Sequence, residues 1–192
     1  MAEHPSSHAS SGGLAEDRAL LLAMHAGDER AARELWSCYA GRLRVYAGSL
    51  SVDADDIVQG VFLEVLRLRR SKVRAVRDPA AWLCTLTRHA ALNARRGRTR
   101  RDRREACTEM RAEAALPTPM DGDAAAILER LPQPWREALV LRHAYGFTLE
   151  RLADALGVSR STAADRYGRG LALARELAEE TARPREEASH AG

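Results

Sequence analysis

At 192 residues the chain holds one ordinary domain or two small ones. Hydrophobic content of 45% supports buried cores, and a formal charge of only +3 excludes reading a polyanion partner from net charge alone. No run approaches the roughly 18 apolar residues of a membrane span, and the opening MAEHPSSHASSGG lacks the apolar centre of a signal peptide, so neither membrane insertion nor export is expected.

Taken in order, residues 1–13 read as a disordered tail, in which His4 and His8 are too isolated to suggest a metal site. A first helix is expected from Leu14 to His25. Asp28 is placed to cap a second, running to about Ser49, with Leu35, Trp36, Tyr39, Leu43 and Tyr46 on its buried face. Asp53 is expected to cap a third, with Asp55 and Asp56 in its first turn, where carboxylates complement the helix dipole. Ile57, Val58, Val61, Phe62, Val65 and Leu66 form its apolar stripe; Asp55, Asp56, Gln59 and Glu64 form the other face. Leu68 to Asp78 is a basic connector, and Asp78-Pro79 is a helix-opening pair. The following helix is expected to bury Trp82, Leu83, Leu86 and Ala90, and it runs into a dense series of arginines from Arg95 to Arg104. Like charges so close repel one another and gain order by lying along phosphates. Lys72 is the only lysine; arginine binds phosphate and guanine bidentately, although codon bias in a GC-rich genome also accounts for an arginine excess.

Residues 97–121 read as a basic, flexible linker, with a helical piece considered around Arg104 to Ala115. Helix resumes over Asp123 to Leu131, breaks at Pro132-Gln133-Pro134, and continues from Trp135 to Tyr145. Next, Leu149, Leu152, Ala153 and Leu156 fall at i, i+3, i+4 and i+7. Thr148 precedes this stripe as a cap, Gly157 follows it, and Ser159 opens another helix. This is the pattern of a helix-turn-helix, whose second helix can enter the major groove. Ala163, Tyr167, Leu171 and Ala174 should pack inward; Gly168 and Gly170 should weaken the helix, and residues 179–192 should fray. Cys38 and Cys84 are expected as core thiols; with Cys107 they are too scattered for a zinc site or disulfide framework.

The segment Asp55-Asp56-Ile57-Val58-Gln59-Gly60-Val61-Phe62-Leu63 resembles the region 2 signature of the sigma-70 superfamily. Val76 to Leu83, followed by Asn93, resembles the later part of that region, and Leu131 to Leu177 resembles region 4. Two regions in this order with a short linker match the extracytoplasmic-function (ECF, group 4) class. The resemblance implies an all-α fold of two small helical domains, region 2 over 14–96 and region 4 over 122–178. It implies a non-enzymatic, cytoplasmic specificity subunit without cofactor or metal, which binds core RNA polymerase through the β′ coiled coil and β flap and directs initiation at promoter DNA. An anti-sigma factor is the further partner it implies.

Carried over residue by residue, the polymerase-binding positions are Asp56, Gln59, Phe62 and Glu64, with Phe62 equally open to being core. The −10 positions are Lys72, Arg74, Arg77, Asn93, Arg95 and Arg96; Trp82 is read as core rather than as a stacking platform. The −35 positions are Arg160, Ser161, Thr162, Arg166 and Arg169. Departures from the family pattern are Gly60 for glutamate, Ala164 for a basic residue and Asp165 for a small polar one. The competing reading is a helix-turn-helix regulator that never joins polymerase; a regulator of that kind has no need of the region 2 signature. No phosphate-binding loop, HExxH or nucleophile elbow supports an enzyme.

Overall fold

The computed structural model describes residues 11–50, 53–105 and 122–189, and among these every regular element is helical. The first lobe is built from α1 (Ser11–His25), α2 (Glu29–Gly48), α3 (Ala54–Arg67), the short α4 (Arg70–Arg74) and α5 (Pro79–Glu105). The second lobe contains α6 (Gly122–Arg130), α7 (Gln133–Tyr145), α8 (Leu149–Leu156) and α9 (Arg160–Ser189). His4, His8, Cys107 and most of the helical piece considered near Arg104 to Ala115 lie outside the described residues.

Local capping chemistry sets most boundaries. Asp28 accepts from the backbone N–H of Arg30 at 2.9 Å and of Ala31 at 3.1 Å, closing the start of α2. Asp78 does the same for α5 through Ala81 N–H at 3.0 Å, ahead of Pro79. Asp53 departs from expectation. It makes no side-chain cap at α3; its carboxylate pairs instead with Arg98 on α5. A longer-range ion pair has displaced the local bond.

In the first lobe Leu21, Leu35, Leu43, Tyr46, Val58, Val61, Val65 and Leu83 are fully enclosed. The α3 stripe is as expected except at Leu66, which is 48% exposed. On α5 the most buried line runs through Leu83, Cys84, Thr87 and Ala91, while Trp82, Leu86 and Ala90 pack at its edge. The expected face is therefore rotated by about one residue, because α5 is covered by α2 and α3 on one side and by α8 on another. Cys38 is exposed, contrary to expectation, whereas Cys84 is buried and its thiol is pushed up to about 12 by that burial.

Helix α5 continues through the arginine series to Glu105, past the expected linker start at Gly97. Likewise α9 continues to Ser189 rather than fraying after Ala178. Glu180 lies in this second extension and pairs with Arg130 of α6 at 2.9 Å, just beyond Leu177, which is buried with Leu131 and Leu139 in a small satellite core. Gly170 is not merely a weak point in α9: a Cβ there would meet Trp135 Cβ and its carbonyl oxygen at 3.1 Å. The absent side chain lets α9 approach α7 closely.

The lobes share one contiguous core. Between them, Glu137 of α7 is 1% exposed and accepts from Arg88 Nε of α5 at 2.7 Å and from Gln133 Nε2 at 2.7 Å. Arg151 of α8 holds Asp78 with two bonds, 2.7 and 2.9 Å, and Arg136 donates to the Ser49 carbonyl at 3.0 Å.

Candidate nucleic-acid and polymerase interfaces

Three exposed surfaces follow from this arrangement. The first is the outer face of α3. Asp56, Gln59 and Glu64 are exposed there, and Asp55 pairs with Arg44 at 2.5 Å. Phe62 does not join them. It is buried, packed edge-on against Trp36 with ring centroids 4.9 Å apart. The apolar members of the face are Leu63, 51% exposed, and Leu66. Gln59, Leu63 and Leu66 stand at i, i+4 and i+7, so they share one stripe. Periodicity alone could have shown this for Leu63, which falls outside the buried series.

The second surface is the connector between α3 and α5. Val73 and Val76 are buried, while Arg69, Arg70, Lys72, Arg74 and Arg77 are exposed. Alternation of two anchored valines with outward cations gives a structured basic edge rather than a loose loop. Farther along α5, Asn93, Arg95 and Arg96 are also exposed, and Arg95 donates to Gln133 of the second lobe.

The third surface is the helix-turn-helix. Thr148 Oγ1 accepts from Arg151 N–H at 3.3 Å, opening α8. Gly157 ends it at φ 64°, a left-handed conformation that glycine adopts without a Cβ penalty. Ser159 Oγ accepts from Thr162 N–H at 3.1 Å and starts α9. Ala163 is fully buried, and Tyr167, Leu171 and Ala174 pack inward as expected. Ser161 and Arg160 are exposed at the start of α9, with Thr162 and Arg166 half-buried beside them.

Two arginines of this helix are already paired. Arg160 Nε meets Glu150 of α8 at 2.6 Å, and Arg169 Nε meets Asp165 at 2.8 Å. The Glu150 carboxyl is held below its ordinary value by its own backbone N–H and the Thr148 hydroxyl, with Arg160 contributing less. Both pairs are solvent-exposed and therefore weak enough to exchange for phosphate or base contacts. His89 and His143 are exposed, and no group of His, Cys, Asp and Glu able to hold a metal occurs among the described residues.

Described residues whose regular elements are all helical, with a basic edge on one lobe and a capped helix-turn-helix on the other, define a two-lobed DNA-binding protein. The model of sigma-70 region 2 matches residues 35–101, and that of sigma-70 region 4 matches residues 122–173. The chain belongs to the sigma-70 family and is of the ECF type: it is a sigma factor that directs promoter-specific initiation by RNA polymerase. It is 29% identical over 160 residues to the RNA polymerase sigma factor CarQ of Myxococcus xanthus, covering 79% of this chain and 91% of that one. Its structure is similar to the sigma factor RpoE of Bartonella quintana, solved with the anti-sigma factor NepR. The TM-score is 0.66 at 25% identity, over 77% of this chain and 96% of that one. CnrH, solved with the cytosolic domain of CnrY, shares the fold at a TM-score of 0.60 and 22% identity, over 85% and 97% of the two chains. No helix among the described residues is long and apolar enough to cross a membrane.

Proposed function

We propose that the three surfaces divide the work of initiation, with no catalytic step performed by this chain in the cytoplasm. The exposed stripe of α3, with Asp56, Gln59, Glu64, Leu63 and Leu66, docks on the β′ coiled coil of core polymerase. Acidic and apolar groups side by side suit a basic-apolar helical partner. Phe62 supports that stripe from beneath by fixing α3 on α2.

The basic edge reads the −10 element as single strand. Lys72, Arg74 and Arg77 neutralise backbone phosphates, while Asn93, Arg95 and Arg96 extend the track along α5. Extruding a base from the stack costs a few kcal/mol, and counterion release along the track offsets that cost. The start of α9 reads the −35 element as intact duplex, with Arg160, Ser161, Thr162, Arg166 and Arg169 available to base edges and phosphates. Region 4 also meets the β flap. An anti-sigma protein is a further partner, a reading supported by the structural relatives that were solved with such proteins.

The observation that carries this reading is the burial of Val73 and Val76 beneath five outward cations, which presents charge on a fixed edge. Replacing Lys72, Arg74 and Arg77 together by alanine should abolish strand opening in a permanganate footprint of the polymerase complex while leaving core binding intact. Opening at the wild-type level in that variant overturns the assignment.

A further inference from the structure

The connector that carries Lys72, Arg74 and Arg77 contains a helix of only five residues, Arg70–Arg74, whose N-cap makes no side-chain bond. One turn of helix is not stable by itself. The exposed cations around it make no ion pair among the described residues, so they repel one another. Burial of Val73 and Val76 anchors the middle of the segment. Its backbone is held by more than these two side chains.

Helix α1 holds the segment at two points. His25 Nε2 lies 2.8 Å from the Leu68 carbonyl, at the point where α3 gives way to the connector. A carbonyl can only accept, so this nitrogen carries the proton and donates. Arg18 donates from its guanidinium to the Arg74 carbonyl at 3.0 Å, at the last residue of α4. Arg18, Leu21 and His25 are spaced i, i+3 and i+7 on α1, so one stripe supplies both donors with the fully buried Leu21 between them. Neither bond is to a side chain of the connector. Both fix its backbone and leave its cations free to face outward. Helix α1 lies before residue 35, where the region 2 match begins.

We propose that Arg18 and His25 are positioning residues that clamp the backbone of the −10-reading connector at two points, its start and the end of α4. A backbone fixed beforehand loses less conformational entropy when a strand is captured. This rests on the assignment of the connector to the −10 element, and the experiment separates the two. Full-length Arg18→Ala, His25→Ala and the double variant are compared with Arg18→Lys and His25→Gln, which keep a donor. Amide hydrogen exchange is measured over residues 69–77, and holoenzyme binding is measured with a labelled −10 single-stranded oligonucleotide and a −35 duplex.

The alanine variants should exchange faster in that segment and bind the oligonucleotide about three- to tenfold more weakly per lost bond, the scale of one net hydrogen bond. The −35 duplex should bind as before, and the donor-keeping variants should recover both properties. Unchanged exchange in the double alanine variant overturns the clamp, as does an equal loss on both DNA probes. Faster exchange with unchanged oligonucleotide binding leaves α1 holding the connector but removes its part in strand capture, and so overturns the proposal as stated. Failure of the −10 assignment itself shows elsewhere, in undiminished binding after Lys72, Arg74 and Arg77 are replaced.

Discussion

Single positions in this chain show how the same residue type carries opposite consequences. Gly60 and Gly170 both lie inside helices, where glycine costs about 1 kcal/mol relative to alanine. A Cβ at Gly60 meets nothing within 4 Å, whereas one at Gly170 meets Trp135 at 3.1 Å. Gly60→Ala should therefore stabilise the protein by up to about 1 kcal/mol in chemical denaturation. Gly60→Glu, which restores the family's usual residue on the docking face, should also tighten core binding in a direct titration. No gain in affinity would show that Gly60 does not limit docking. Gly170→Ala should instead destabilise by about 1–3 kcal/mol, the usual range for overpacking. An unchanged or raised unfolding midpoint would mean that α9 withdraws from α7 without cost.

At the scale of elements, the helix-turn-helix was the most legible part of the sequence. Thr148, Gly157 and Ser159 act within a few residues of themselves, and each does in the structure what its chemistry required. The rotated face of α5 and the unmade cap at Asp53 were not legible, because each is decided by a neighbour far along the chain. The polar α3 face was readable from periodicity, and so was Leu63 on it; Phe62, equally open to docking or core from its place in the signature, was settled by packing against Trp36. Nor did any local signal mark His25, whose partner is 43 residues away.

The recognition helix adds a testable detail at this scale. Arg160→Ala and Arg166→Ala should each weaken −35 duplex binding by about 1–3 kcal/mol if they read bases. Arg160 must first leave Glu150, so Glu150→Gln should tighten binding slightly. Footprints unchanged in both arginine variants would remove α9 as the −35 reader.

Across the whole molecule, the lobes are joined through ionic contacts that apolar packing surrounds. Arg88–Glu137 is the innermost of these, and Arg151–Asp78 ties α8 to the start of α5. An ion pair of this kind contributes little net stability when intact, yet loss of one partner leaves a buried charge and costs about 3–5 kcal/mol. Arg88→Ala should therefore loosen the lobes from one another, raising the radius of gyration measured by small-angle scattering while the helical content persists. An unchanged radius would show that the apolar contacts suffice.

The arrangement also bears on promoter binding. Elements centred about 25 base pairs apart, at 3.4 Å each, are separated by roughly 85 Å of duplex, more than lobes in contact can bridge. Reading both at once requires them to part. The account as a whole is tested most directly by run-off transcription with bare core polymerase and the purified chain on a library of promoter fragments. It predicts initiation at defined start sites that depend on both promoter elements, with no other sigma subunit present. Binding to the fragments without any start-site selection would contradict it.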